Sequence, residues 1–172
     1  MKTITSADEV AGYYLIKPHH FLDYLYDLGI GYLHEDEVNV NGNANKELCK
    51  KFSDGEMKSI GFTPFVDDIC RPCKKLAEGK RCTDHFDDET TLYYGFRYKN
   101  DFNYQLDLKL NAALPEAFCF DRVWDMGDLL SRLEECLTDN VIELYKWQRP
   151  ERVKYTYEGI KKGKTIYFTD KR

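Results

Sequence analysis

Nowhere does the chain hold an apolar run near the ~20 residues that a membrane span requires, and its first thirty residues lack the basic, apolar and small-residue order of a secretory signal. The expectation is a cytoplasmic protein with no membrane partner. Six cysteines in 172 residues fall far below the density of a secreted disulfide scaffold. Proline is scarce, at five residues, and no stretch is rich in Gly, Ser or Pro, so nothing marks a linker. Internal repeats are missing, which excludes a solenoid. Catalytic signatures are missing too: there is no G-x-S-x-G elbow, no glycine-rich phosphate loop and no H-E-x-x-H helix. What remains is one domain over residues 1–172 without a motif that names a reaction.

Aromatic residues are plentiful, at 15% of the chain with 13 Tyr and 10 Phe. A chain of this length buries roughly 70% of the surface its unfolded form exposes, so it needs neither disulfides nor metal merely to fold. Any metal site must therefore be argued from its own residues. The formal net charge of −5 hides a partition. Residues 146–172 carry nine Lys and Arg against three acids, leaving sixteen basic and twenty-seven acidic residues before them. Trp147, Tyr155, Tyr157, Tyr167 and Phe168 interleave with that basic tail, a pattern that can grip a nucleic-acid backbone and stack bases. The whole protein is acidic and would repel a polyanion, so Arg149, Arg152, Lys154, Lys161 and Lys162 are expected to dock the tail on the acidic body instead. Nucleic acid is not the expected partner.

The hydrophobic periodicity describes an α+β domain that is predominantly helical. Tyr13 to Ile16 form a short strand; Pro18 opens a helix with Phe21, Leu25 and Leu28 on its buried face, and Gly29 and Gly31 stop it. On that helix His20, Asp23 and Asp27 share a different face. A loop over 32–43 precedes a second helix over 44–53, and 62–69 is extended by Pro64. Asp87, Asp88 and Glu89 suit the start of another helix. Residues 100–112 are ambiguous, because Leu106, Leu108 and Leu110 alternate like a strand while Ala112, Ala113 and Leu114 suit a helix. Asp125 caps an amphipathic helix that Asn140 interrupts before Val141 to Trp147 resumes. Pro150 opens the last helix, and Gly163 closes it before a strand at Thr165 to Thr169.

The most informative stretch is DDICRPCKKLAEGKRCTDH, residues 67–85. Cys70 and Cys73 form a C-x2-C pair, Cys82 follows after eight residues, and His85 after two more. A C-x2-C turn sets two sulfurs on one side of a tight loop, which is half of a tetrahedral site, and Gly79 lets the chain fold back to bring Cys82 to the same ion. Arg71, Lys74, Lys75, Lys80 and Arg81 flank the sulfurs and favour thiolate over thiol. The set C-x2-C-x8-C-x2-H suits structural zinc, with an iron–sulfur cluster as the alternative. A segment this charged does not form a core of ordinary buried cysteines, and a third cysteine argues against a simple C-x-x-C redox pair. Cys49, Cys119 and Cys136 sit among apolar or helical neighbours and read as packing residues.

Toward the N-terminus stands KPHHFLDYL, residues 17–25, with adjacent imidazoles at a helix start. One of His19 and His20 is a candidate ligand, with Asp23 orienting it or ligating beside it. The string KPHHFLDYL followed by VDDICRPCKKLAEGKRC resembles the bacterial and archaeal domain-of-unknown-function 1284 family, over roughly residues 14–95. The resemblance implies an iron–sulfur or metal-binding protein of unassigned reaction, with His19, His20, Cys70, Cys73 and Cys82 as functional positions. Members commonly carry a cysteine three residues after the second histidine; here that residue is Asp23, which favours zinc over a cluster. Residues 96–172 then read as a helical elaboration.

Cys70, Cys73 and Cys82 are thus the expected metal ligands, and the fourth is His85, His20 or Asp23. Proximity to Cys82 favours His85, because no long loop need close. The alternatives are an enzyme with an open coordination position served by His19 or His20, and a nucleic-acid-binding module using the tail. A protein or small-molecule partner is left unidentified.

Overall fold

Lys17 is extended, at φ −72° and ψ 143°, and Pro18 takes the first helical position, where its missing N–H breaks no hydrogen bond. The helix that follows, α1 (Pro18–Ile30), ends at Gly31, whose φ of 79° is the left-handed conformation that terminates helices. Gly31 N–H donates to the Leu28 carbonyl at 3.2 Å and Tyr32 N–H to that of Asp27 at 2.8 Å. The computed structural model describes residues 12–32, 44–145 and 151–169. Most of the expected 32–43 loop, and Trp147 and Pro150, lie outside the described residues.

The fold is mixed α and β and mainly helical. Strand β1 (Tyr14–Ile16) precedes α1, and α2 (Ala44–Ser53), β2 (Ser59–Phe62), β3 (Leu76–Ala77), β4 (Arg81–Cys82), α3 (Asp88–Tyr94) and α4 (Lys99–Ala113) follow. Strand β5 (Val123–Asp125), α5 (Met126–Cys136), the short α6 (Asp139–Ile142) with a 3-10 turn, and α7 (Arg152–Thr169) complete it. Central strand β2 pairs in parallel with β1, Ile16 opposite Phe62, and antiparallel with β5, Ile60 opposite Trp124. Strands β3 and β4 form a separate two-stranded hairpin. One hydrophobic cluster draws on Ile16, Phe21, Phe62, Leu106, Leu133 and Ile160, so residues 14–95 and the later helices share a core.

Helix α1 lies at the centre of that core. It is buried nearly all round, Asp27 included, which corrects the two-faced wheel that placed Asp27 with His20 and Asp23. Helix α7 lies along it. A Cβ on Gly29 would overlap the carbonyl oxygen of Tyr155, and one on Gly159 would overlap that of Leu25, so the two backbones touch through paired glycines. Gly29 therefore serves packing inside the helix, and Gly31 alone stops it. The Lys162 ammonium donates to the carbonyls of Leu28 at 3.1 Å and Gly29 at 2.8 Å, filling the acceptors at the α1 C-terminus.

Other expectations change for physical reasons. Helix α7 runs through Gly163 to Thr169 with no strand, because Gly163 makes room for Leu130, whose Cδ1 would lie 3.1 Å from an added Cβ. Residues 99–113 are helical: Phe102, Leu106 and Leu110 share one buried stripe, and the alternation with Leu108 is incidental. The break after α5 falls at extended Leu137, before Asn140. Only Phe62 of the expected 62–69 extended segment is in a strand; the chain bends at Pro64 and Phe65 and enters a turn at Asp68. Asp125 caps as expected, accepting from Asp128 N–H at 3.2 Å, and Asp87, placed in sequence only at an acidic helix start, caps α3 by accepting from Thr90 N–H at 2.7 Å.

Candidate metal centre

Two consecutive carboxylates tie the cysteine segment to the first strand and helix. Asp67 is fully buried; one oxygen accepts the Cys70 N–H at 2.9 Å, and the other accepts the Lys17 N–H at 2.9 Å and meets His20 Nδ1 at 2.7 Å. Asp68 accepts the Leu15 N–H at 2.7 Å and pairs with Arg71 at 2.7 Å. Ile69, between Asp68 and Cys70, is buried in the core. The KPHH and DDIC segments, far apart in sequence, thus meet at one carboxylate.

From there the chain turns tightly. Cys73 N–H donates to the Cys70 carbonyl at 2.9 Å, and Leu76 N–H to that of Cys73 at 3.0 Å. Glu78 and Gly79, both with positive φ, reverse the chain, and Cys82 returns opposite Leu76. Its N–H donates to Asn100 Oδ1 at 3.3 Å, which fastens the hairpin to α4. Cys70 and Cys82 line the same small cavity.

The electrostatics differ from the sequence expectation. Burial, with the Asp67 charge beside it, pushes the Cys70 thiol up to about 12, against the opposing pull of Lys17. Three of the flanking cations are engaged by carboxylates, Arg71 by Asp68, Lys75 by Asp84 at 2.9 Å and Arg81 by Asp101 at 3.1 Å. The cation that reaches the sulfur is Lys17, its Nζ 3.5 Å from Cys70 Sγ. Burial works to lower the Lys17 pKa, but Asp67, Cys70 and Asp107 outweigh it and hold the ammonium above its ordinary value. Burial likewise works to raise the Asp67 pKa, and His20 together with Lys17 overrides it, keeping the carboxylate well below its usual range.

His19 belongs to a second buried pair. Its Nδ1 lies 2.9 Å and 3.0 Å from the two oxygens of fully buried Asp107, which also accepts the His19 N–H at 3.0 Å. Burial lowers the His19 pKa despite the facing carboxylate. The two histidine rings lie 4.2 Å apart, each with its own aspartate.

Of the remaining candidates, Asp23 faces Arg152, whose Nη1 is 2.9 Å away, so one residue of the basic tail holds it. His85 is exposed, and its backbone bridges to Tyr98. Cys49 is buried in the core, and Cys136 packs against it with its thiol donating to the Arg132 carbonyl at 2.8 Å. Among the described residues, no three His, Cys, Asp or Glu side chains stand grouped closely enough to hold a metal ion as they are. Lys17 and Asp107 escaped sequence reading. Asp107 leaves a signal, a charged residue beside Leu106 and Leu110 on an apolar helix stripe; Lys17 leaves none, since lysine before proline is ordinary.

No family model, no curated protein and no solved structure matches this chain. No helix of the described residues is long and apolar enough to cross a membrane.

Proposed function

We propose that the protein binds one metal centre through Cys70, Cys73 and Cys82, with zinc favoured over an iron–sulfur cluster. The observation that carries this reading is the shared cavity: the C-x2-C turn and the returning hairpin present Cys70 and Cys82 to one space, with Cys73 in the same turn. The donor chemistry fits as well. Three thiolates on a divalent ion leave a net negative charge, and Lys17, the buried cation at Cys70, balances it. The sulfurs are not grouped in advance, so loading draws the hairpin and the turn together.

The fourth ligand is His20 rather than His85 or Asp23. Asp67 orients His20 through Nδ1 and binds the Cys70 amide with its other oxygen, which leaves Nε2 as the donor and supplies the carboxylate that metal-binding histidines commonly lean on. Asp23 is engaged by Arg152, and His85 is exposed. The resemblance to the domain-of-unknown-function 1284 family points the same way, and the reading stands on the residues without it. A bound zinc would cross-link turn and helix; a cluster would add electron transfer.

Metal analysis and visible absorption of anaerobically purified protein test the proposal. Cys70→Ser, Cys73→Ser and Cys82→Ser are each expected to lose the metal, while Cys49→Ser and Cys136→Ser keep it. Full metal content in all three cluster variants would overturn it. A second reading rests on the His20–Asp67 pair, whose half-buried imidazole is oriented as a general base is. It takes precedence if purified protein holds no metal.

A further inference from the structure

The cavity shared by Cys70 and Cys82 contains a buried cation that feels the charges of Asp67 and Asp107 but whose ammonium hydrogen-bonds to a thiol and to neither carboxylate. Lys17 is 7% exposed, yet its ammonium, with three donors, meets a thiol sulfur at 3.5 Å, and a thiol is a weak acceptor. The nearby Asp67 carboxylate is engaged by the Lys17 backbone amide, the Cys70 amide and His20. Cations buried in this way are ordinarily paired. Lys80, exposed, also lines the cavity, and no carboxylate does among the described residues. The rest of the lining includes Asn100 and the apolar surfaces of Val66, Leu76 and Tyr104. At about 70 Å³ the space holds a few heavy atoms.

We propose that this cavity binds a short-chain carboxylate, its charged end held by Lys17 with Lys80 at the mouth and its hydrocarbon end against the apolar wall. Apolar walls and small volume favour such a ligand over a fully hydrated oxyanion such as phosphate, whose oxygens would lie against carbon without donors. The carboxylate and a metal on Cys70 and Cys82 would share this space and the Lys17 charge, so binding is expected in metal-free protein.

An NMR titration of labelled protein, as purified and after treatment with a chelator, tests it with propionate, propionamide and inorganic phosphate at constant ionic strength. Propionate is expected to give saturable shifts centred on Val66, Cys70 and Asn100. Propionamide, which lacks the charge, should bind about tenfold more weakly, the loss of one charge-assisted contact. Lys17→Met should weaken propionate about tenfold, and Lys80→Ala about twofold, as suits an exposed charge. Equal binding of propionate and propionamide, tighter binding of phosphate, or shifts spread over the surface without saturation would each overturn the proposal. Should Lys17→Met fail to fold, the ratio of propionate to propionamide and the Lys80→Ala result decide. Metal content measured on the same samples separates the two readings: propionate binding to protein purified without metal supports the cavity and removes the metal centre, and metal in the purified protein with no propionate binding after chelation does the reverse.

Discussion

The helix pair α1 and α7 and the cysteine segment 67–85 are built on opposite principles. The helices touch backbone to backbone at Gly29 and Gly159, bury Phe21, Leu25 and Ile160, and bind a buried arginine to Asp23. The cysteine segment has one core side chain, Ile69, and beyond it holds its course through two-residue strands and turns whose side chains are half-buried or exposed. Packing specifies the first region many times over, and a few polar contacts, from Asp67, Asp68 and Asn100, position the second. A segment with so few apolar contacts opens at low cost unless something else cross-links it, which is what a metal on three thiolates would do.

Removing the Asp67 carboxylate is the strongest way to break the contrast. Asp67→Ala strands the His20 ring and two backbone amides in a dry site, and should cost about 4 kcal/mol in chemical denaturation, within the range for uncoupling a buried charge. Gly159→Ala attacks the other region. It should cost about 3 kcal/mol despite the better helix propensity of alanine, because the added methyl meets the Leu25 backbone. If it were neutral, the close helix contact would be wrong. A smaller loss, about 1 kcal/mol, is expected for Tyr167→Phe, which deletes the buried hydrogen bond to the Phe52 carbonyl at 2.9 Å.

Acid should act on the histidine side of the site first. Burial holds the His19 pKa below its unfolded value, so the unfolded chain binds the extra proton and stability falls as pH drops below about 6.5. Asp67 is depressed in the folded state, so its contribution is complete above the ordinary carboxylate pKa of about 4 and is lost as pH falls below it. Urea midpoints measured from pH 7.5 to 5 should therefore decline in the native protein, and the decline should flatten in His19→Gln. An unchanged slope in that variant would move the pH dependence elsewhere.

Much of the helical framework was legible because its signals are local. The cap at Asp125, the acidic start at Asp87 and the span of α2 each depend on a few neighbouring residues. Docking of the tail was legible from charge only in part: Arg152 meets Asp23, whereas Lys162 meets backbone carbonyls of α1, Lys154 pairs with Glu151 of the tail itself, and Arg149 lies outside the described residues. What local patterns do not encode is what meets what. Gly163 looks like a helix stop until Leu130 is placed against it. The cysteine spacing was readable, but Arg71, Lys75 and Arg81 looked free to activate Cys70 until Asp68, Asp84 and Asp101 were placed against them. Lys17, the cation that does reach Cys70, has no sequence signature because the thiol it meets is brought to it from 53 residues away.

The most direct measurement is the metal content of anaerobically purified native protein beside that of Cys82→Ser, with absorption spectra of both. The account predicts about one metal centre per chain in the native protein, colourless if zinc, and its loss in the variant while the helical circular dichroism of the α1–α7 core persists. Native protein without metal above background, or a Cys82→Ser variant that retains it in full, would contradict the account.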